Sequence, residues 1–555
     1  MLREFFTQRL RRGLVRRLNN LKVARMAKHV ARRSPVPSGA PVVFFKASTG
    51  IDDLSWNSGF HLLSSWALRL KGIPVAYFAC HSGMSHCVLG TNRDQVRKAP
   101  PCKSCIYQSK TLYTGVQVNR YAGKQVDRSP DTSHLTPDTH VTWFDYDRDL
   151  QLLTALENLS LQELMAFEWH DVPLGTLCLP GLRWILRIHH LNDDESTRYL
   201  LREYILSAWN VAQKFADFLD QTQPRAVVVF NGQFYPEATA RFIAQKRGIR
   251  VITHEVGLQP ASAFFTDGEA TAYPIHIPAE FELNDEQNAR LDAYLARRFQ
   301  GDFTMAGIKF WADMQGLDAS FLQRAAGFKQ IVPIFTNVIF DTSQPHANTV
   351  FEDMFDWLDL SLEVIRAHPE TLFVIRAHPD ELRVRKASRE TVAGWVAASR
   401  ADREPNVVFV ASNETLSSYE LIQQSKFVMV YNSTIGLEAS IMGAAVLCAG
   451  RARFTQYPTV FFPQTAEDVR KKLEEFLNVE KIEVPTEFKR NARRFLYYQL
   501  FRTSLPFGDF LMPSVRTTQT RLKSFGLQAL SPERSTAIAA IFDGLLSNGD
   551  FLLKD

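Results

Sequence analysis

FVMVYNSTIGLEASIMGAAVLC, residues 427–448, carries the pattern from which the fold class follows. An apolar run of strand type at 427–430 leads into a helical pattern from about Ser433 to Met442, and a second apolar run follows at 445–448. Two short apolar runs separated by a helix predict neighbouring parallel strands, because parallel strands need a crossover connection. In such sheets ligands bind at the carboxyl ends of the strands, where helix N-termini converge.

The same alternation continues on both sides of this stretch and predicts a C-terminal Rossmann-like domain over residues 301–480. The apolar runs of strand type lie at 330–335, 371–375 and 406–410. The helical patterns lie at 350–367, 418–424 and 467–477. We expect the remaining residues, 481–555, to form a helical tail.

A separate strand–helix series predicts an N-terminal Rossmann-like domain over residues 35–300. Its apolar runs lie at 41–46, 73–78, 226–230 and 251–253, and its helical patterns at 60–71, 198–220 and 236–247. A polar stretch at 81–145 is predicted to be an insertion in this domain. The predicted fold class is therefore α/β, with two parallel-sheet domains that face a cleft.

Composition excludes several classes of protein. The 555 residues are 45% hydrophobic and 22% charged, and 40 Phe and 9 Trp are far too many aromatic residues for a disordered chain. We expect neither a membrane-spanning helix nor a secretory signal, because no apolar run of the required length is present. Six Cys do not make a disulfide scaffold, so a reducing compartment is expected.

The positive charge is concentrated at the N-terminus. Residues 1–33 contain eleven Arg or Lys and one Glu, a charge of +10, which leaves −5 for the rest of a chain whose net charge is +5. A slightly acidic body argues against a protein that binds nucleic acid along its main surface.

The N-terminal segment, residues 1–34, has the pattern of an amphipathic helix. Seven apolar residues recur at three- and four-residue steps with Arg on their flanks: Leu2, Phe5, Phe6, Leu10, Leu14, Leu18 and Leu21. We predict that residues 1–33 bind an anionic membrane surface, apolar side down. A helix packed on the body with a solvated basic face, and an Arg-rich transit peptide, are the alternatives.

The tetrapeptide Arg-Ala-His-Pro occurs twice, at 366–369 and 376–379. The first copy precedes the predicted strand 371–375, and the second follows it. Because ligands bind at carboxyl ends, we predict that His378 and Pro379 contact the ligand and that His368 is a loop residue. A histidine there can donate a hydrogen bond to a phosphate oxygen and, if protonated, offset its charge.

A second candidate site lies where the strand 427–430 turns into a helix. Asn432, Ser433 and Thr434 are good capping residues, and their hydroxyl groups with the first-turn N–H groups make an anion site. Glu438 follows in the first turn, where it can accept hydrogen bonds from a ribose. An ordinary capped helix is the alternative.

The carboxyl edge of the first domain supplies the candidate base. His254 and Glu255 end one predicted strand, and Asn231-Gly232-Gln233 follows the neighbouring strand. A carboxylate at this edge can deprotonate an acceptor hydroxyl, so we predict Glu255 as the general base, with His254 and Asp267 as the next candidates. Solvated turn residues are the alternative.

Four cysteines cluster in the first domain: Cys80, Cys87, Cys102 and Cys105. A Cys-x2-Cys pair with a second pair nearby is typical of a structural zinc site, although the first pair is spaced more widely than usual. Reduced thiols and disulfides are the alternatives.

The C-terminal half resembles the capsule polysaccharide biosynthesis glycosyltransferases, the group that includes Kdo-transferring capsule enzymes. The shared residues are 376–381 and 431–439, followed by Gly443 and 450–452. The His-Pro and Ser/Thr elements are also similar to the nucleotide-binding pair of bacterial sialyltransferases and teichoic-acid polymerases, where both hold a cytidine nucleotide. The resemblance covers about 330–480, is weaker over 226–257, and implies a GT-B fold.

The resemblance implies a glycosyltransferase on the cytoplasmic face of the membrane. We expect it to move a sugar from a nucleotide-sugar, with a CMP-linked sugar as one option, to a surface polysaccharide or lipid-linked acceptor. His378, Ser433 and Thr434 would stabilise the departing phosphate. No cofactor is expected for catalysis, and a structural zinc ion is left open. The alternatives are a transferase of glycerol- or ribitol-phosphate from a CDP-alcohol, and a non-catalytic membrane-associated subunit of capsule assembly.

Overall fold

The structure, a computed structural model, describes most of the chain. The described residues are 2–47, 53–113, 117–121, 140–300, 304–305, 308–309, 315–383 and 387–554. Side chains are not described for residues 2–10, 117–121, 140, 304–305 and 308–309. Much of the predicted insertion, and the side chains of Leu2, Phe5, Phe6 and Leu10 in the predicted stripe, therefore lie outside the described part.

The first sheet has eight strands among the described residues, in the order β15-β7-β6-β5-β1-β2-β4-β3. The six strands from β6 to β3 run parallel, β7 runs antiparallel to β6, and the edge strand β15 runs antiparallel to β7. The strands are β1 Val42–Lys46, β2 Val75–Cys80, β3 Gln117–Tyr121, β4 His140–Phe144, β5 Ala226–Phe230, β6 Val251–Val256, β7 Ser262–Thr266 and β15 Leu505–Pro506.

The second sheet has five parallel strands within the described ranges, in the order β12-β11-β10-β13-β14. The strands are β10 Gln330–Phe335, β11 Thr371–Arg376, β12 Val407–Val410, β13 Val428–Val430 and β14 Val446–Cys448. Two short antiparallel pairs are separate from both sheets: β8 Thr304–Met305 with β9 Ile308–Lys309, and β16 Leu511–Pro513 with β17 Thr520–Leu522. The predicted α/β class with two parallel sheets, the GT-B-like arrangement, is confirmed.

Helices cover both faces of the two sheets. Up to residue 300 they are α1 Leu2–Arg33, α2 Trp56–Leu70, α3 Cys102–Leu112, α4 Leu150–Leu156, α5 Leu161–Met165, α6 Leu174–Leu186, α7 Glu195–Thr222, α8 Tyr235–Lys246 and α9 Asp285–Phe299. The others are α10 Ala319–Ala325, α11 Gln344–Ala347, α12 Met354–Ala367, α13 Val392–Ser399, α14 Ser418–Gln423, α15 Ile435–Met442, α16 Ala466–Asn478, α17 Thr486–Tyr497 and α18 Thr536–Ser547. Within the described residues, no helix combines the length and hydrophobicity needed to cross a bilayer.

Strand β1 shows why the central strands are apolar on both sides. Val43 and Phe45 point into one buried core, which α7 and α8 also enter. Val42 and Phe44 point to the opposite face, into a core shared with α2 and α18. Alternate side chains of one strand thus enter two cores, and this is why parallel strands read as continuous apolar runs.

Three segments extend their domains beyond the predicted arrangement. The segment 81–145, predicted as an insertion, contains α3 and ends in β4, which pairs with β2 in the first sheet. Helix α9 lies in the predicted first domain but packs its Leu291 and Leu295 in the core of the second sheet. The tail 481–555 contains three short strands besides its helices, and α18 returns to the core of the first domain.

Helix α1 packs on the body through one face only. Val23, Ala27 and Val30 are buried, and the side chain of Asn19 accepts a hydrogen bond from the backbone N–H of Leu522 at 2.9 Å. The opposite face carries three leucines that are more than half exposed, Leu14, Leu18 and Leu21. The described part of the helix therefore has a buried stripe and a separate exposed apolar stripe.

Candidate active site

A cavity of about 550 Å³ lies between the two domains. On one side it is lined by residues that follow strands of the second sheet at their carboxyl ends: Asn337, Asp341, His378, Asp380, Asn432, Ser433, Thr434, Arg451 and Arg453. On the other side lie Leu258 and the segment 268–274 of the first domain. The sequence-predicted donor residues His378, Asn432, Ser433, Thr434 and Glu438 all line this cavity, and Pro379 lines a smaller cavity beside it.

His378 follows β11 and faces the cavity in a defined tautomer. The backbone N–H of Asp380 donates to Nδ1 of His378 at 3.1 Å, so the proton of the neutral ring is assigned to Nε2. Burial lowers the pKa of His378 below its usual value, against the opposing effect of the Asp380 and Asp341 carboxylates. The ring can therefore donate a hydrogen bond to a phosphate while neutral.

The first copy of the repeat is placed differently. His368 follows α12 at the amino end of β11, where its Nδ1 lies 3.1 Å from Glu370 and its Nε2 lies 2.7 Å from Glu474. His368 is not among the described residues that line the cavity. The two copies of Arg-Ala-His-Pro thus lie at opposite ends of one strand.

The turn between β13 and α15 presents Asn432, Ser433 and Thr434 to the cavity. Thr434 is the N-cap residue of α15, but its side chain makes no capping hydrogen bond. Gly436, in the first turn, lies so close to β13 that a Cβ atom there would be 2.9 Å from Val430. The glycine lets the helix start directly against the strand, with its N-terminus at the cavity.

Glu438 is held by protein partners. Its side chain accepts hydrogen bonds from Arg298 Nε at 2.9 Å and from the Tyr419 hydroxyl at 2.5 Å. Because each carboxylate oxygen already has a donor, a ribose hydroxyl would be an additional partner. The predicted ribose contact stays a prediction.

Glu255 is not among the described residues that line the cavity. The Asn231 side-chain amide donates to Glu255 Oε1 at 2.6 Å. His254 is fully buried between the rings of His61 and Phe265, and Asp267 pairs with Arg250 at 2.7 Å. Glu255 and Asp267 therefore have polar partners within the first domain, whereas the contacts given for His254 are with other rings.

A polar cluster that sequence reasoning missed does line the cavity. Glu269 of the first domain accepts a hydrogen bond from Gln233 at 2.7 Å and forms an ion pair with Arg241. Nε2 of His346, from the second domain, lies 3.1 Å from Glu269 Oε2 and 2.8 Å from the Thr271 hydroxyl. Burial lowers the pKa of His346, so a neutral imidazole stands beside a carboxylate in the cleft.

Two arginines add positive charge to the cavity wall. Arg451 and Arg453 follow β14, and the Arg453 guanidinium lies 4.3 Å from the centre of the Tyr273 ring. Arg451 belongs to the stretch 450–452 that carried part of the family resemblance. The second-sheet side of the cleft therefore offers an imidazole N–H, a helix N-terminus and guanidinium groups, which suits an anionic ligand.

The four clustered cysteines line another cavity, distant in sequence from the cleft residues. No disulfide joins any cysteine in the described chain. Burial raises the pKa of Cys80 and raises the pKa of Cys87 to about 12, with neighbouring thiols adding to both shifts. The zinc ion expected from the sequence stays a prediction.

Part of the chain matches a known protein family. Residues 313–481 match the family model described as capsule polysaccharide biosynthesis protein, which confirms the resemblance over that part of the chain. Sequence comparison with curated proteins gives no match.

Several solved structures match the chain at low identity and low TM-score. The KpsC beta Kdo 2,4 transferase of Thermosulfurimonas dismutans is 10% identical, with 51% of this chain and 80% of that chain covered and a TM-score of 0.35. The KpsC beta Kdo 2,7 transferase of the same organism is 13% identical, with 60% and 89% covered and a TM-score of 0.31. UDP-GlcNAc 2-epimerase from Neisseria meningitidis, bound to UDP-GlcNAc, is 13% identical, with 83% and 99% covered and a TM-score of 0.21. At these values the neighbours carry no functional argument.

Proposed function

We propose that this protein is a glycosyltransferase of capsule or other surface polysaccharide assembly. It would take a nucleotide-sugar as donor and a polysaccharide or lipid-linked glycan as acceptor. The observation that carries the proposal is the interdomain cavity, which gathers His378, Ser433, Thr434 and Arg451 at the carboxyl edge of the second sheet.

These residues suit the diphosphate or monophosphate of the donor. His378 presents an N–H from Nε2, and α15 points the positive end of its dipole toward the cavity. Negative charge develops on the leaving phosphate as the glycosidic bond to it breaks. Positive groups that are already in place stabilise that charge without reorganisation.

The acceptor side contains two candidate bases. We place the His346–Glu269 pair first, because both residues line the cavity and the carboxylate can orient and stabilise the imidazole as it takes a proton. Glu255, the base predicted from the sequence, is second, because it is not among the described residues that line the cavity.

The exposed stripe of α1 supports attachment to the inner face of the cell membrane. Leu14, Leu18 and Leu21 are 59%, 58% and 54% exposed. Arg25, Lys28 and Arg32 continue the same exposed side at three- and four-residue steps. Leucines that face away from the body and are followed by cations suit the headgroup region of an anionic bilayer.

A thermal-shift panel tests the donor class. The purified full chain is heated with CMP-, CDP-, UDP-, GDP- and dTDP-sugars, and with CDP-glycerol and CDP-ribitol. A ligand at 100 times its Kd stabilises the fold by about 2.7 kcal/mol, so the true donor class gives a clear rise in Tm. Sugar transfer to a glycan acceptor by the same preparation distinguishes an enzyme from a scaffold. Stabilisation by a CDP-alcohol alone would contradict the sugar-transfer proposal.

A further inference from the structure

One end of the interdomain cavity is apolar. Leu258, Leu437 and Leu496 line it there. Leu437 and Leu496 belong to the core on one face of the second sheet, and Leu258 packs against that core. Ala347, the neighbour of His346, belongs to the core on the opposite face, since alternate residues of β11 enter the two cores. The apolar end and the candidate base His346 therefore lie toward opposite faces of the sheet.

Gln499 brings a side-chain amide to the cavity beside Leu496. The residue is almost fully buried, with 2% of its surface exposed. Its Nε2 has no hydrogen-bond partner within the described part of the chain. A buried amide donor without a partner costs free energy of folding, because its hydrogen bonds with water are lost and not replaced. A ligand that supplies an acceptor would therefore be favoured at this position.

The backbone of Gln499 is held in place by hydrogen bonds. The residue lies in a π-helical turn, Tyr498–Arg502, that continues α17. The hydroxyl groups of Thr503 and Ser504 donate to the Gln499 carbonyl oxygen at 3.3 and 2.9 Å. The Ser504 hydroxyl also accepts from the N–H of Leu258 at 3.3 Å, which ties Gln499 to the first-domain side of the apolar end. Turns of this kind are rare and occur frequently at functional sites.

A nucleotide has the same polarity as the cavity. Its phosphate is anionic, whereas its base is a flat ring with apolar faces and a polar edge. The phosphate suits the groups around His378 and Ser433, and the ring suits the leucine side chains. A glutamine amide carries an acceptor and a donor side by side, so it can pair with the edge of a base. Rotation about its last side-chain bond exchanges the two, and either can then face the ligand.

We propose that Gln499 recognises the base of the nucleotide donor in the apolar end of the cavity. This assignment rests on the proposed transfer from a nucleotide-sugar. It orders the ligand along the cleft, with the base at Gln499, the phosphate at Ser433 and the reacting sugar toward His346. Gln499 lies outside residues 313–481, so the residue that sets the choice of nucleotide comes from the C-terminal tail and not from the segment that matches the family model.

The test is calorimetric titration of the full chain with CMP, UMP, GMP, dTMP and ribose 5-phosphate, which lacks a base. We expect the unmodified chain to bind one of the nucleotides more tightly than ribose 5-phosphate. Gln499→Leu should reduce that preference by about tenfold, because the base loses its hydrogen bonds to the amide. The affinity for ribose 5-phosphate should stay unchanged. Gln499→Glu keeps an acceptor without a donor, so its comparison with Gln499→Leu shows which end of the amide contacts the base.

Gln519→Leu is the matched control. Gln519 is also buried and has a side-chain oxygen without a partner in the described chain, but it pairs with Ser55 of the first domain and is not among the described residues that line the cavity. This variant should bind nucleotides normally. Thermal unfolding without ligand adds a second measurement on Gln499→Leu. Its Tm should not fall, because the substitution removes a buried donor that has no partner.

Three results would overturn the proposal. One is an equal loss of affinity for ribose 5-phosphate and for the nucleotides in Gln499→Leu, which would give the residue a role in the shape of the cleft. Another is an unchanged preference for the base in that variant. The third, no binding of any nucleotide by the unmodified chain, would also overturn the donor class proposed above. Only this third result bears on sugar transfer, and it is measured without a variant.

Discussion

Nε2 of His190 lies 2.8 Å from Oδ2 of Asp353, and Nδ1 of the same ring lies 2.5 Å from Glu390. His190 follows α6 in the first domain, whereas Asp353 caps α12 and Glu390 precedes α13 in the second. Because both acceptors are carboxylates, both ring nitrogens carry protons. These hydrogen bonds raise the pKa of His190 to about 10, so the two domains are joined by a charged histidine at neutral pH.

The hydrogen bonds of His190 with Asp353 and Glu390 predict that part of the free energy of unfolding depends on pH. The folded-state pKa of His190 is above its usual value of 6.5, so its contribution is fully present below about pH 6.5 and is lost as pH rises through about 10. Asp353 and Glu390 have lowered pKa values, so their contribution is lost in acid instead. Half-buried Arg183 and buried His189 also face these carboxylates, and the pKa of His189 is lowered to about 4 by burial and by the charge of Arg183.

The His190→Gln variant should lower Tm at pH 7 by about 2 °C, because a half-exposed ion pair is worth at most about 1 kcal/mol. The difference from the unmodified chain should shrink as pH approaches 10. Thermal unfolding followed from pH 6 to 10.5 measures it. His276→Gln is the matched control, because His276 is exposed and pairs with Asp550. A difference that is constant with pH would contradict the assignment of a charged His190.

The two Arg-Ala-His-Pro copies give the second prediction. His378→Ala should weaken donor binding or slow transfer by at least about tenfold, because it removes the N–H that faces the cavity. His368→Ala should change neither, since His368 pairs with Glu370 and Glu474 at the other end of β11. Donor titration and turnover on both variants are the measurement. Equal losses would show that position at the strand end does not decide the role.

The third prediction separates the candidate bases. If His346 takes the acceptor proton, His346→Gln should lower kcat by about 10²–10⁴-fold while donor affinity stays nearly unchanged. Glu255→Gln should then have a small effect. Because the pKa of His346 is lowered, kcat of the unmodified enzyme should also stay level as pH falls through 6.5.

If Glu255→Gln instead shows the large loss in kcat with normal donor affinity, the base predicted from the sequence is correct. Loss of donor binding in either variant would show that the residue supports the cleft. The Asp267→Asn variant is a suitable control, because Asp267 pairs with Arg250 outside the cavity.

The fourth prediction concerns the exposed face of α1. A triple Leu14→Ser, Leu18→Ser, Leu21→Ser variant should bind vesicles containing anionic lipid at least about tenfold more weakly, because three apolar side chains no longer enter the interface. The fold should persist, since all three are exposed. Vesicle co-sedimentation at two salt concentrations measures the loss, and screening should weaken the unmodified protein too.

Leu150→Ser is the control for this variant, because Leu150 is 70% exposed on α4. It removes one exposed leucine side chain away from α1. If the control and the triple variant lose vesicle binding equally, the membrane contact lies elsewhere.

The strands could be predicted from the sequence because their burial is local and regular. All six residues of β11, for example, are buried, and the run from Leu372 to Ile375 is continuously apolar. The donor side of the cleft followed from the same rule, since His378 and Ser433 come directly after strands. Their positions directly after parallel strands were enough to predict that both residues lie at the carboxyl edge of the second sheet.

The acceptor side could not be predicted in this way. His346 and Glu269 are far apart in sequence, belong to different domains and lie in no recognisable motif; only tertiary packing brings them within 3.1 Å. Strand β15 has two residues, one of them Pro506, and carries no periodic signal. The two faces of α1 could likewise not be predicted, because buried Asn19 and Asn20 interrupt the apolar pattern on the side that packs against the body.

The return of the C-terminal residues to the first domain affects how the cleft can move. The chain passes between the domains twice, once after β7 and again before β15, and the two passages touch where the Phe281 and Tyr498 rings lie 4.8 Å apart. A single connecting segment would let one domain rotate freely relative to the other. Two connecting segments packed side by side permit hinge bending about their common line and resist twisting. Bending about that line would keep the wall that carries His378 aligned with Glu269 across the cavity.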